Sequence, residues 1–286
     1  MRFAINPMQF YAQPDGTHDF AAGPGPERVA DRLRLYGFAA VQADLRTQTG
    51  AEATPGALTP APGYLSAHLE LPEALGATLV AYEAAARRSR DLGLTDMVVA
   101  CALTGIGRTR AGQRAHEPLD RLVIAEIARQ LDAVGRVTAA QGVRTCFHPH
   151  VGSPIETPVE VISLLDATNA DVVMLCPDTG HLAWGGVDDI QSFLERVAPR
   201  IGMLHVKDVD AKVIDEGRQL GWDYAGFVRH GIWREPGTGD LGLLSMLEPW
   251  SAHDLWCVIE VDVASTVTVD ESLALCERFV LELDTK

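Results

Sequence analysis

The sequence predicts a closed barrel of eight parallel strands wrapped by helices, the (β/α)8 or TIM barrel, on three observations. Short apolar, β-branched runs recur along the chain, each followed by a longer segment of helical period. The runs are apolar almost without a break, as strands covered on both faces are. Eight such units also fit a chain of 286 residues, an ordinary length for that fold.

The expected strands are Phe3–Ile5, Ala40–Ala43, Tyr64–Leu69, Met97–Ala100, Val143–Phe147, Val172–Leu175, Ile201–His205 and Trp256–Glu260. Between them the helical period runs over Glu27–Leu35, Leu75–Leu92, Pro118–Gln141, Pro158–Ala167, Asp188–Ala198 and Leu241–Trp250, and Thr268–Leu283 closes the chain. Thr157 followed by Pro158 reads as an N-cap and a first helical proline, with Glu160 in the first turn. The helix after it repeats its apolar residues at Val161, Leu164 and Leu165. The second unit is weak: residues 45–63, LRTQTGAEATPGALTPAPG, are rich in Gly, Pro and Thr and read as loop. Residues 210–236 exceed what one unit needs and form an insertion after the seventh strand, a lid or a surface elaboration. No Gly-x-Gly-x-x-Gly follows the first strand, so a dinucleotide-binding open sheet has no support. Nothing resembles a linker, and residues 1–286 are expected to form a single domain.

Composition narrows the function classes. With 24 Lys and Arg against 39 Asp and Glu, the formal charge of −15 repels phosphate backbones, and no nucleic-acid partner is expected. Five scattered cysteines without a C-x-x-C pair give neither a disulfide framework nor a zinc knuckle and suit a reducing cytoplasm. The start lacks the basic lead and apolar core of a signal peptide, and no run of about 18 apolar residues occurs, so no membrane partner is expected. The expected location is cytoplasmic.

In this architecture chemistry gathers at the carboxyl ends of the strands, and the last four strands end in ionisable groups. These are His148-Pro149-His150 with Glu156 beyond, Asp178-Thr179-Gly180-His181, His205-Val206-Lys207-Asp208, and Glu260-Val261-Asp262. His148 to Asp178 is 30 residues and Asp178 to His205 is 27, one strand-helix unit each. A barrel therefore brings these side chains to one rim. Glu156 or His148 with Asp178, His205 and Glu260 has the donor chemistry of a divalent metal site, and the lack of thiolates argues against a structural zinc. Each residue also has a blander role: Asp178 as a turn cap, His205 as a core histidine, Glu260 as the partner of a lysine.

These motifs resemble the xylose isomerase-like, or sugar phosphate isomerase/epimerase, superfamily of metal-dependent barrels, and within it the inosose dehydratase group. HPHVGS at His148–Ser153 is similar to that group's His-x-His-x-Gly-Thr/Ser pattern, and PDTGHLAWGGVDD, LHVKDV and Gly237-Thr238-Gly239-Asp240 are similar to its other motifs. The resemblance implies metal ligands at Asp178, His205 and Glu260, with Glu156 favoured over His148 as the fourth because it supplies a carboxylate. It implies substrate contacts at His181 and Lys207, and general acid-base work by His148 and His150, whose imidazoles titrate near neutrality. Manganese is the favoured ion, with magnesium, cobalt and zinc compatible. The second strand ends in Gln42-Ala43-Asp44, without the glutamate common in the superfamily.

A cation on a ketone oxygen and an adjacent hydroxyl would stabilise the enediolate left when the alpha proton departs. The expectation is a lyase that then expels a beta substituent from a cyclic keto-polyol or a 3-keto sugar or glycoside, C-glycosides included. A metal-dependent ketose epimerase or isomerase is the alternative. The His-x-His pattern favours elimination, because epimerases of the superfamily use paired metal-bound glutamates. A non-catalytic sugar-binding subunit is a third reading. The expected partner is a small sugar or cyclitol, and association with further copies or a partner subunit stays open.

Overall fold

The computed structural model describes residues 1–13, 16–45, 58–114, 117 and 119–285. Eight parallel strands form its centre: β1 (Arg2–Asn6), β2 (Ala40–Asp44), β3 (Thr59–Ala67), β4 (Asp96–Cys101), β5 (Arg144–Phe147), β6 (Val173–Leu175), β7 (Leu204–Val206) and β10 (Trp256–Glu260). Between β7 and β10 lies a short antiparallel ribbon of β8 (Asp208–Val209) and β9 (Trp233–Arg234). The large sheet runs β6-β5-β4-β3-β2-β1-β10-β7, and its two ends meet. Parallel bridges Leu175–Ile201 and Asp178–His205 join them, with Gly202 N donating to Leu175 O at 2.9 Å and His205 N to Pro177 O at 3.0 Å. The chain is a (β/α)8 barrel, as the alternation of strand and helix predicts.

Side-chain alternation along the strands divides the core in two. Ile5, Val41, Val99, Phe147, Leu175, Val206 and Ile259 face outward and pack with the helices. Their neighbours Ala4, Ala40, Val98, Cys146, Cys176, Met203 and Val258 face inward and fill the barrel. Period two then fixes the next inward layer at the carboxyl end: Asn6, Gln42, His148, Asp178, His205 and Glu260. The barrel interior thus changes from apolar to polar within one layer, about 6.6 Å along the strands.

Several boundaries depart from the sequence expectation. β3 starts at Thr59, five residues before the expected Tyr64, and runs through Pro60 and Pro62. Those prolines argued for loop, yet Ala40, Val41 and Gln42 pair with Thr59, Pro60 and Ala61, and the register shifts between Gln42 and Asp44, the kind of irregularity at which strands admit proline. Residues 46–57 of the weak second unit and residue 118 of the fourth helix lie outside the described residues. The helix expected from Pro118 runs over Arg121–Ala139. The helix at Pro158–Ala167 begins where Thr157 and Pro158 place it, with a reciprocal Thr157–Glu160 capping box. Leu241–Trp250 shortens to an α-turn at Leu243–Leu247 and a 3-10 turn at Glu248–Trp250.

The insertion after β7 is ordered structure: helices Ala211–Leu220 and Tyr224–Arg229, with β8 and β9 at its base. Asp208, at the base of this insertion, acts on backbone. Its buried carboxylate accepts from the backbone N–H of Val209, Gly237, Gly239 and Leu241 at 3.0, 2.9, 3.1 and 3.2 Å. Gly239 must be glycine here, since a Cβ would lie 2.5 Å from Asp208 Oδ1. Asp208→Ala removes the acceptor of four donors, and we expect it to lower the unfolding free energy by about 3 kcal/mol, read from urea denaturation against the wild-type chain.

Candidate metal centre and pocket

His148, Asp178, His205 and Glu260 each offer one ligand atom, and these atoms lie within 4.8 Å of one another. All four residues are buried. Their second atoms are engaged in a regular way. Asp178 Oδ1 accepts from His181 N at 2.8 Å and so caps the helix Thr179–Trp184. Glu260 Oε1 accepts from Asn6 Nδ2 at 2.9 Å, and His205 Nε2 lies 3.1 Å from the Gln42 amide. What remains is Asp178 Oδ2, His205 Nδ1 and Glu260 Oε2, all buried and without a hydrogen-bond partner, with His148 Nε2 3.6 Å from Asp178 Oδ2. His205 Nδ1 and Glu260 Oε2 approach to 2.7 Å without the alignment of a hydrogen bond.

Buried polar atoms left in this state cost free energy unless something satisfies them. Donors around one divalent ion, at about 2.0–2.2 Å each, stand at most about 4.4 Å apart. The observed spread therefore needs a contraction of only a few tenths of an ångström. Charge fits as well. Burial alone would raise the Asp178 and Glu260 carboxyls, but Lys207 and the adjacent histidines hold both well below their ordinary values. Burial, outweighing the contact with Asp178, keeps His148 low and neutral. Two carboxylates and two imidazoles make a donor set suited to a divalent cation.

Glu156, expected from sequence as the fourth donor, is not in this group. Its Oε1 lies 3.1 Å from Arg114 Nε, and its Oε2 accepts from Gly152 N at 2.8 Å. Arg114 also bonds Glu160 at 3.1 Å and the Pro154 carbonyl at 2.9 Å. Glu156 lies beyond the end of β5, where no inward strand position remains, and a guanidinium from a distant segment claims it. The fourth position falls to His148, which follows Cys146 on the inward face.

Lys207, His150, His181 and Asp262 form the layer above. The Lys207 ammonium is 3.1 Å from both Asp262 oxygens, 3.6 Å from Asp178 and 3.7 Å from Glu260. It also faces the Trp233 ring at 4.6 Å. Burial would lower its pKa, but the three carboxylates outweigh burial and keep it charged. It approaches His181 Nε2 at 3.3 Å, and since an ammonium can only donate, that nitrogen accepts. His150 Nδ1 lies 2.7 Å from the Val151 carbonyl. A carbonyl can only accept, so the proton sits on Nδ1 and the lone pair on Nε2. Burial, helped by His148 and Lys207, pushes His150 down to about 3.

Asn6, Gln42 and Asp262 were not singled out from the sequence, although the period-two count that gives His148 from Cys146 also gives Asn6 from Ala4 and Gln42 from Ala40. Asn6 Nδ2 donates to Gln42 Oε1 at 2.8 Å, and Gln42 Nε2 donates to the Pro62 carbonyl at 3.0 Å. A cavity of about 590 Å³ opens over this layer.

Comparison with known proteins follows the geometry. The sequence profile of the "Xylose isomerase-like TIM barrel" family matches residues 27–272. The chain belongs to that family. Among curated relatives, inosose dehydratase of Klebsiella pneumoniae is 31% identical over 142 residues, covering 48% of this chain and 46% of that one. Inosose dehydratase 1 of Bacillus cereus is 29% identical over 139 residues with the same coverage, 48% and 46%. The chain thus spans about half the length of these relatives. Among solved structures, a probable 3-DHS dehydratase, AsbF of Bacillus anthracis, superposes with a TM-score of 0.71 at 11% identity, covering 98% of this chain and 99% of that one. The IOLI protein with a bound zinc atom gives 0.68 at 13% identity, covering 100% and 98%, and 3-keto-D-glucoside 4-epimerase YcjR of E. coli gives 0.67 at 15%, covering 100% of both. At these identities the structures speak for the shared fold.

We expect Asp178→Asn and Glu260→Gln to lose the bound ion, and Glu156→Gln to keep its full stoichiometry, as measured by elemental analysis after gel filtration. Gln42→Leu should retain the ion but weaken it about 10–100-fold, read by competition with a fluorescent chelator.

Proposed function

We propose that the chain is a divalent-metal lyase that removes the proton alpha to a ketone and expels a beta substituent from a cyclic keto-polyol or 3-keto sugar. In this reading Asp178, His205, Glu260 and His148 hold the ion, His150 handles the proton, and His181 and Lys207 bind substrate. The observation that carries it is the pairing of four inward donors with unsatisfied buried atoms and, one layer above, an imidazole whose tautomer is set by a carbonyl. The inosose dehydratase relatives, matched over about half their length, support the same substrate class.

The bound ion would supply positive charge next to the ketone oxygen, where negative charge develops as the proton leaves. The remaining work falls to side chains. His150 Nε2 carries a free lone pair, and burial keeps the ring neutral at any pH near 7, so it accepts a proton without first losing one. It lies 3.7 Å, ring centre to ring centre, from His181. Lys207, held by Asp262 and the Trp233 face, presents a fixed donor to a substrate oxygen or to the leaving group. Tyr64 and Tyr224 line the same cavity beside His148 and His150, with ring centres at 5.8 and 6.2 Å.

Proton return in place of expulsion would make an epimerase. Its mark in the superfamily, a glutamate at the end of the fifth strand, is replaced here by His148. Turnover in deuterium oxide followed by proton nuclear magnetic resonance separates the two: loss of a beta substituent with a new alkene is expected, whereas deuterium exchange with every oxygen retained would overturn the lyase reading. His150→Ala should lower kcat by about 10²–10⁴-fold while the ion stays bound. An unchanged kcat would remove His150 from the chemistry, and sugar binding without any turnover by the wild-type chain would leave a sugar-binding protein. Exhaustive chelation should abolish turnover and a divalent ion restore it.

A further inference from the structure

Resting on the lyase reading above, we infer that the substrate is a keto ring bearing an apolar aromatic substituent, the ring on the polar floor of the cavity and the substituent against an aromatic wall above it. The cavity measures about 590 Å³, within the range of roughly 300–1,000 Å³ that holds drug-sized ligands and more than one six-membered ring requires. Its lining changes character with height. The floor, built from strand ends, is polar: Asn6, Gln42, His148, Glu260 and, a layer higher, His150 and Asp262.

The wall comes from segments beyond the strand ends, with Leu65 added from within β3, and carries the apolar side chains Met8, Tyr11, Phe20, Leu65, Leu103 and Tyr224. Hydroxyls of a polyol pressed against such a wall would lose water without gaining partners, a cost of the order of a whole hydrogen bond each. The wall therefore matches an apolar group. Tyr11 and Phe20 line the cavity with their ring centres 4.8 Å apart at 38°, and Phe20 is 43% exposed. Aromatic faces of this kind favour offset or edge contacts with another ring. Asp44 and Arg108 also line the cavity, and a guanidinium stacks readily on an aromatic plane.

The wall is anchored to the chemistry. Tyr11 and Phe20 flank a small hairpin in which Ala12 bridges His18 and Asp19 N donates to Tyr11 O at 2.8 Å. His18 Nε2 lies 3.0 Å from the Asp262 carbonyl, so the hairpin is tied to the strand end that carries Glu260. Across the cavity, Tyr224 begins the insertion helix Tyr224–Arg229 and stacks over His150. Gly16 of the hairpin packs on Val228 of that helix, where an added Cβ would meet Val228 Cγ1 at 2.8 Å. Hairpin and insertion together roof the cavity.

The test uses methyl 3-keto-β-D-glucoside and a phenyl compound, benzyl 3-keto-β-D-glucoside, whose alcohol leaving groups are alike in acidity and which differ in the phenyl arm, with the purified metal-loaded protein. We expect the phenyl compound to exceed the methyl compound tenfold or more in kcat/KM and in affinity by isothermal titration calorimetry. Tyr11→Ala and Phe20→Ala should bring that ratio toward one. Equal handling of both compounds, or variants that depress both alike, overturns the aromatic subsite and leaves the lyase reading intact. No turnover of either, with tenfold tighter phenyl binding that Phe20→Ala removes, keeps the subsite and sinks the lyase. No turnover and no phenyl advantage in binding overturns both.

Discussion

Everything in the site depends on one geometric constraint: a barrel strand points every second side chain inward. Ala4, Ala40, Cys146, Cys176, Met203 and Val258 fill the interior with apolar volume, and two residues later each of these strands delivers a polar group to the same axis. The polar layer could not sit lower without removing the barrel's packing, nor higher without losing its shielding from water. Burial is what makes the donors strong and what makes them costly. An isolated carboxylate at that depth would lose several kcal/mol of hydration. The cost is offset by arranging opposite charge within a few ångströms, with Lys207 3.6 Å from Asp178 and 3.7 Å from Glu260.

The lower half of this arrangement was legible in the sequence because it is local. Strand identity, the position of a strand's end and the residue two steps beyond an inward apolar side chain can all be counted, and Asp178, His205 and Glu260 come out of that count. Glu156 did not, because a preference for carboxylate chemistry overrode the count. It lies eight residues past His148, in a loop whose path is decided by Arg114, and nothing near Glu156 in the chain announces an arginine on the connection after β4. Asn6 and Gln42 were legible by the same rule and were passed over, since amides carry no ionisable signal. Asp262 was visible beside Glu260 but gains its meaning only from Lys207, 55 residues earlier. Only the first five residues of β3, Thr59 to Gly63, were hidden behind Pro60 and Pro62.

The connections are braced by buried carboxylates acting on backbone. Asp208 gathers four N–H groups at the base of the insertion, and Glu160 accepts from Leu119, Glu156 and Thr157 N–H at 2.9, 3.0 and 2.9 Å. A carboxylate presents about four lone-pair sites in a plane, so it can fix a turn that no regular ladder would hold. Loops tied in this way place their side chains with nearly the accuracy of strands. That matters for Tyr224, which stands over His150 from the insertion and not from the barrel.

The two imidazoles of His148-Pro149-His150 show how identical side chains two positions apart take different work. Both face inward, and burial keeps both neutral. His148 turns its Nε2 toward Asp178 at 3.6 Å and lies beside the His205 ring at 4.8 Å, so that nitrogen faces the cluster of donors. His150 spends its proton on the Val151 carbonyl at 2.7 Å, a partner that fixes the tautomer without the added basicity a carboxylate would bring. Its lone pair is therefore aimed by the backbone and left available. Pro149 between them cannot donate to a neighbouring strand, so β5 ends there and the second histidine is carried past the sheet edge into the cavity. In the proposed lyase the difference between a ligand and a proton acceptor would thus be set by which oxygen each ring meets, a carboxylate at one step and a carbonyl two steps later.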